Sequence, residues 1–335
     1  MVTGMRPAHG SADKQNVPRR LLRFLLRRAA LAALLVLLVS SGALLLARLA
    51  PPADAFGTDP AVLAAERQRL GFDRPLPEQY MDWLWRGLHL DLGESLHFRR
   101  PVTALLKERW GNTALLGLSA LALATVLGIP LGVFTGSRDG GILVSAARGA
   151  SMVILSVPPL VLSIGLLLVA ARTGWFPAGG LPDITDDGGM GAAVGTTLHH
   201  LLLPSLALGL PVAASIERLQ SASIRTALGD PCILAALARG VPSHRVLWRH
   251  AFRLSLPPVL AIYGITIGSV LSGSFAVEVV LSWSGLGQLM YQALQSRDLY
   301  LVAGCAAAGS LCLAAGVFLT DVASAALDPR VEGTA

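Results

Sequence analysis

Lysine is nearly missing from this chain. Lys14 and Lys107 are the only two, and the rest of its 27 basic residues are arginine. Neither lysine stands in a G-x-x-x-x-G-K-[ST] run, so the chain has no P-loop for a nucleotide. Cysteine is scarce as well. Cys232, Cys305 and Cys312 are too few and too scattered for a disulfide framework or a zinc site, and read as small packing residues. H-E-x-x-H, G-x-S-x-G and C-x-x-C are all absent, which removes the zinc-protease, serine-hydrolase and thioredoxin-type centres. Charge itself is thin: 14% of residues are charged against 53% hydrophobic, and mean hydropathy is +0.60. No catalytic residue, cofactor site or metal site is expected.

What fills the chain instead is a series of long apolar runs, the signature of an all-α integral membrane protein. Residues 1–28 form a polar, basic N-terminus ending in Arg19, Arg20, Arg23, Arg27 and Arg28. The first span is predicted over 29–47. Its apolar core is longer than the roughly 7–15 residues of a signal-peptide core and near the roughly 20 of a spanning helix, so it reads as a retained span. Residues 48–109 form a small extracytoplasmic segment of near-balanced charge, with short helices expected over 60–70 and 77–88.

Residues 110–323 hold the remaining spans, predicted over 112–134, 142–170, 201–216, 259–280 and 300–323, followed by a short C-terminus, 324–335. Six spans result. Pro158-Pro159 after Ser156 interrupts the third, as a kink for packing or as part of a substrate path. Pro204 and Pro211 are expected to break the fourth. The Gly- and Asp-rich loop 173–197, with Asp183, Asp186 and Asp187, lacks the spacing of a calcium loop. His199-His200 after it reads as an interfacial pair.

Arginine placement sets the orientation. Arg218, Arg225, Arg239, Arg245, Arg249 and Arg253 join the N-terminal cluster on one face, while the short loops of the opposite face carry only Arg172 and Arg297 and the charge-balanced 48–109 segment is neutral in this count. By the positive-inside rule both termini are cytoplasmic, and the basic residues answer to a lipid bilayer, not to nucleic acid. Ionisable groups inside the spans are few, with Asp321 and Glu217 near span ends. An ion-driven carrier needs such groups, so the energy for any transport is expected from a partner.

One stretch between spans is both basic and helical. In the loop 217–256, Asp230-Pro231 reads as an N-cap followed by proline at the first helical position. Gly240 and Pro242 read as a stop. The short helix between them carries Ile233, Leu234 and Leu237 beside Ala235, Ala236 and Ala238. A solvated loop has no use for such residues. The helix either packs on its own bundle or docks on another protein. A second helix is expected from Ser243, with Arg245, Arg249 and Arg253 on one face, Leu247, Ala251 and Leu254 on another, and Pro257-Pro258 at its end.

Taken together these stretches resemble the inner-membrane permeases of ABC importers for dipeptides, oligopeptides and nickel. The loop resembles that family's cytoplasmic EAA-type motif, with Ala235-Ala236, Gly240, Arg249-His250-Ala251 and Pro257 or Pro258. Arg48-Leu49-Ala50-Pro51, Leu70 through Pro77, Asp91 through Leu96, Gly128 through Gly132, Gly285-Leu286-Gly287 and Leu327 through Arg330 resemble it in order and spacing. The resemblance covers roughly 21–331.

It implies the type 1 permease fold in a prokaryotic cytoplasmic membrane and a translocation-pore subunit without its own ATPase site. The implied partners are a second homologous permease, two cytoplasmic ATP-binding subunits and an extracytoplasmic solute-binding protein. Ile233, Leu234, Ala235, Ala236, Leu237, Arg239 and Gly240 would then couple to the ATPase. Ser156, Pro158 and Glu278 are candidates for the substrate path, Glu278 being equally readable as a solvated residue at a span end. Peptides are the expected substrate, with nickel or another small solute as the alternative and an ATP-independent carrier as a further one. The chain departs from the family at Pro231-Cys232, Leu234, Leu237, Leu254 and Ser284, which points to apolar more than charged contact with the ATPase.

Overall fold

The computed structural model describes residues 17–49, 75–89, 91–177, 179–180 and 189–327. Among these the backbone is helical apart from short connections and one isolated antiparallel bridge between Glu94 and Pro101. Apolar sequence and helix go together here for a simple reason. Lipid offers no partner to a backbone N–H or C=O, and a helix satisfies both within one segment.

The first helix, α1, spans Val17–Leu49 and contains an apolar stretch, Ala29–Ala43, inside the predicted first span. Helix α2 (Leu76–Leu88) starts after Pro75 with proline at its first turn, as expected. The other short helix predicted before it, 60–70, lies outside the described residues. Helix α3 (Val102–Gly136) starts earlier than the predicted Asn112, so the span and the end of the preceding segment form one helix.

The predicted third span is two helices, α4 (Ile142–Ser156) and α5 (Pro159–Thr173), bent by 107° at the break. Val157, held extended before Pro158, and Pro159 at the start of α5 account for it. Helix α6 (Gly189–Leu228) corrects the fourth prediction. It begins well before Leu201 and runs through Pro204 and Pro211 without a break. Dense packing against α3 supports the turns that those prolines weaken. Asp183, Asp186 and Asp187 lie outside the described residues.

After α6 come α7 (Pro231–Ala238), a one-turn helix α8 (Ser243–Arg245), a π-helical turn over Val246–Ala251, and α9 (Phe252–Ala261). This segment also departs from expectation. The π turn widens the helix between Arg245 and Arg253, so no single 3.6-residue face runs through it. Leu254 is exposed, Val246 and Ala251 are buried, and α9 continues through Pro257-Pro258 to Ala261. The Ser255 hydroxyl donates to the Phe252 carbonyl and accepts from Gln220 Nε2 of α6, tying the segment to the bundle. Helices α10 (Tyr263–Val280), α11 (Leu286–Gln295) and α12 (Leu299–Leu327) complete the described chain.

Four of these segments are long and apolar enough to cross a bilayer: Val102–Gly136, Val194–Leu228, Tyr263–Val280 and Leu299–Thr320. The bent pair α4–α5 makes a fifth when taken as one broken span.

The seam between α3 and α6 is the most extensive in the fold. Gly128, Gly132 and Gly136 recur every fourth residue and so share one face of α3. A Cβ on Gly132 would lie 2.6 Å from Gln220 Cβ, and one on Gly136 would lie 2.5 Å from the Ser221 carbonyl oxygen. Gly209 of α6 repays the approach, since a Cβ there would come 2.8 Å from the Ala120 carbonyl oxygen. Lipid gives helices no hydrophobic reason to associate, so close backbone contact and interhelical hydrogen bonds supply the adhesion. Ser119 and Ser205 hydroxyls meet at 2.7 Å, and Thr125 meets Tyr263 at 2.8 Å. Such bonds contribute about 0.6 kcal/mol each.

Candidate functional site

Helix α7 is built as its sequence suggests. Asp230 accepts the Cys232 N–H at 2.8 Å, capping the first turn. At the other end Gly240 has φ +81°, where a side chain would be strained. Its N–H donates to the Leu237 carbonyl and the Val241 N–H to the Ala236 carbonyl, the paired bonds of a Schellman cap. The helix is therefore closed at both ends without help from a partner.

Its two faces differ. Ile233 and Ala236 point inward and pack with Ala227, Val246 and Ala251. Leu234 and Leu237 are 53% and 40% exposed, and Cys232, Ala235, Ala238 and Arg239 are exposed beside them. The apolar pattern of the sequence groups Ile233 with Leu234 and Leu237. The structure parts them, because Ile233 and Ala236, three residues apart, share the face turned to the chain's own core. Arg239 folds back so that its Nε donates to the Ala235 carbonyl at 3.2 Å.

The three candidates for a substrate path are not brought together. Ser156 and Pro158 are exposed at the 107° bend, with the Ser156 hydroxyl donating to the Met152 carbonyl at 2.9 Å. Glu278 is wholly buried, so it is not the solvated span-end residue of the second reading.

The Glu278 carboxylate sits where α10, α3 and α11 meet. Oε1 accepts the Thr113 hydroxyl at 2.8 Å, and Oε2 accepts the N–H groups of Gly287 at 2.6 Å and Gln288 at 3.3 Å. Thr113 in turn accepts the Leu286 N–H at 2.7 Å. The carboxylate thus receives the first N–H groups of α11, the end of a helix that favours negative charge. Gly285 is glycine because a Cβ would lie 2.3 Å from Glu278 Oε2 and 2.5 Å from Thr113 Oγ1. Asn112 adds a second layer, its Nδ2 donating to the Ser284 carbonyl at 2.7 Å while its own carbonyl accepts from Trp283 Nε1 at 3.0 Å.

Sequence reading missed Asn112, Thr113 and Trp283. The Gly285-Leu286-Gly287 run, with a glutamate shortly before it, was the available signal.

A similar node holds the segment before α3. Buried Asp298 accepts from the Ser95 hydroxyl and from the His97 N–H at 3.1 Å, and caps α12 through the Leu301 N–H at 3.1 Å. Gly93, at φ +83°, lies against the Tyr300 ring. The stretch Asp91 through Leu96 is thereby fastened to the start of α12, far away in sequence. Among the described residues no group of three His, Cys, Asp or Glu side chains could hold a metal ion.

A helical bundle with apolar spans, a capped amphipathic loop helix and glycine-lined seams is consistent with what the comparisons report. Residues 128–333 match the family described as binding-protein-dependent transport system inner membrane component, and residues 21–116 match its N-terminal companion. The chain belongs to this family of ABC importer permeases.

Among relatives, a Brucella suis biovar 1 protein named as a peptide permease is 32% identical over 323 residues, covering 94% of this chain and 100% of its own. The oligopeptide transport system permease AppB of Bacillus subtilis is 30% identical, covering 82% of this chain and 87% of its own. The dipeptide transport system permease DppB of Escherichia coli K12 is 29% identical, covering 93% and 99%. The permease is thus a multi-pass inner-membrane protein, and its family works with ATPase and substrate-binding components.

Proposed function

We propose that this permease forms half of the translocation path of an importer for di- or oligopeptides. ATP would be hydrolysed by separate subunits, and the chain would carry no ATPase site of its own. In this reading the complex holds a second homologous permease, two ATP-binding subunits and an external solute-binding protein. The termini and the loop around α7 lie in the cytoplasm. Peptides are proposed because the named relatives transport them.

The observation that carries the coupling role is the two-faced helix α7. Ile233 and Ala236 fix it to the bundle, while Leu234 and Leu237 turn outward from a helix already capped at both ends. A helix that packs only on its own chain gains nothing from exposed leucines one turn apart. This one leaves two leucines for a partner surface. Movement of that partner on binding and hydrolysing ATP would push on α7, and the spans would alternate between outward-open and inward-open states.

The test is uptake of labelled di- and oligopeptides by a deletion strain carrying this chain, together with mass-spectrometric identification of the proteins that co-isolate with it. Peptide uptake and a stoichiometric P-loop ATPase are expected. An isolate that transports without any ATPase would overturn the reading, and uptake of nickel in place of peptides would reassign the substrate.

A further inference from the structure

Beside the seam between α3 and α6, at the end of α6 that leads into α7, a cavity of about 570 Å³ opens between α6 and α4. Arg148, Met152, Glu217, Arg218, Ser221 and Arg225 are among the residues that line it. None of them takes part in the site described above.

The electrostatics of the cavity are divided by depth. Glu217 is only 1% exposed. One of its oxygens, Oε1, accepts the Thr135 hydroxyl, while Oε2 has no hydrogen-bond partner among the described residues. A buried carboxylate oxygen without a donor is costly. Oε2 is itself enclosed, and Glu217 lines the cavity, so a donor seated there reaches this oxygen once the side chain turns toward it. Arg148 is committed to the fold, since its guanidinium donates to the Thr135 carbonyl at 2.6 Å and to the Arg138 carbonyl at 3.4 Å. Arg218 and Arg225 are different. They are exposed, stand two turns apart on one face of α6, and make no hydrogen bond or ion pair among the described residues. Deep acceptor and outer cations together match a ligand with an ammonium and an anionic group a few bonds apart.

The surroundings say what else that ligand carries. Met152 and Val153 of α4 are 57% and 66% exposed, and Ile142 and Leu143 on the same helix are 90% and 73% exposed. Met152 itself lines the cavity, and the other exposed residues stand on the same helix of a protein that lives in a bilayer. We propose that the cavity receives the headgroup of a phospholipid bearing a primary ammonium. Its phosphate lies against Arg218 and Arg225, its ammonium donates to Glu217 Oε2, and its acyl chains follow Met152 and Val153. Such a lipid would hold α4 against α6 whatever solute is transported.

The full-length chain, purified in detergent, is titrated with phosphatidylethanolamine, phosphatidylcholine and phosphatidylglycerol of identical acyl chains, and bound lipid is counted by native mass spectrometry. Phosphatidylethanolamine should bind more tightly than phosphatidylcholine, whose quaternary nitrogen has no N–H to give Glu217. Arg218→Ala and Arg225→Ala, at exposed positions, should each weaken it about fivefold. Glu217→Gln should erase the difference between the two lipids.

Equal binding of ethanolamine and choline lipids to the unaltered chain overturns the proposal. So does stronger binding of phosphatidylglycerol, which would mark a site for an anion alone. Displacement by a soluble dipeptide without any lipid preference would assign the cavity to a free zwitterion and also overturn it. Should Glu217→Gln fail to fold, the two arginine variants and the lipid comparison decide the matter.

Discussion

The Gly287 N–H donates to Glu278 Oε2 at 2.6 Å, closing the hairpin between α10 and α11 on a carboxylate that also binds Thr113 of α3. Three helices are thus joined at one side chain.

Replacing that side chain should loosen all three. Glu278→Ala leaves the Thr113 hydroxyl and the Gly287 and Gln288 N–H groups without their acceptor, and each buried unsatisfied donor costs about 1–3 kcal/mol. The expected result is a markedly lower unfolding temperature in detergent, followed through the fluorescence of wholly buried Trp283. Thr113→Val should cost less, and the double variant should cost less than the sum of the two, since both act on one network. Strict additivity would show that the network does not act as a unit.

The glycine seam makes a second prediction, with an internal control. Gly132→Ala pushes a methyl group into Gln220 Cβ and the Glu217 carbonyl oxygen. Overpacking of this kind costs about 1–3 kcal/mol. Gly149→Ala in α4 meets nothing within 4 Å and should be neutral or stabilising by up to about 1 kcal/mol, because alanine is the better helix former. Thermal unfolding of the two variants side by side checks it, and equal tolerance would mean that the seam is looser than the distances require.

On α7 the two faces should respond differently. Leu237→Glu alters a position that its own chain leaves exposed, so membrane abundance should stay near normal while ATPase co-purification and uptake fall. Ala236→Arg forces a charge into the cluster around Ile233 and Val246, so abundance should fall first. Quantitative blotting of membranes beside ATPase recovery separates the two. Normal uptake in Leu237→Glu would remove the docking role.

Gly240 offers a narrower test. At φ +81° a valine pays for a left-handed backbone, about 1–2 kcal/mol. Gly240→Asn should be tolerated much better than Gly240→Val, because asparagine enters that conformation more readily. A comparison of stability and uptake in the two variants suffices, and no difference would mean that the turn adapts.

How much of this was legible in the sequence depends on how far each signal reaches. Asp230, Pro231 and Gly240 were readable because a cap is made by residues within one turn of each other. The faces of α7 were not, since nearly every position in that helix is apolar and only the packing against Ala227 and Val246 tells Ile233 from Leu234. Prolines misled in both loop and span. Pro204, Pro211, Pro257 and Pro258 all lie inside helices, because neighbouring helices support the turns that a proline weakens. At Pro158-Pro159 the helix does break, as local geometry suggests. The burial of Glu278 was beyond local reading. Its partner Thr113 lies 165 residues away, and nothing near Glu278 distinguishes a buried carboxylate from a wet one.

The seam of Gly128, Gly132 and Gly136 carries a mechanical consequence. Side chains at an interface act as a cushion that can change rotamer and let two helices slip. Where backbone meets backbone there is no cushion, so α3 and α6 travel as a single beam. Between Ser205 and Leu228 that beam is about 35 Å long at 1.5 Å per residue. A tilt imposed at the α7 end is delivered to the far end undamped. Any bending has to occur at joints elsewhere, among them the 107° break at Ser156–Pro159 and the interruption at Ile262 between α9 and α10.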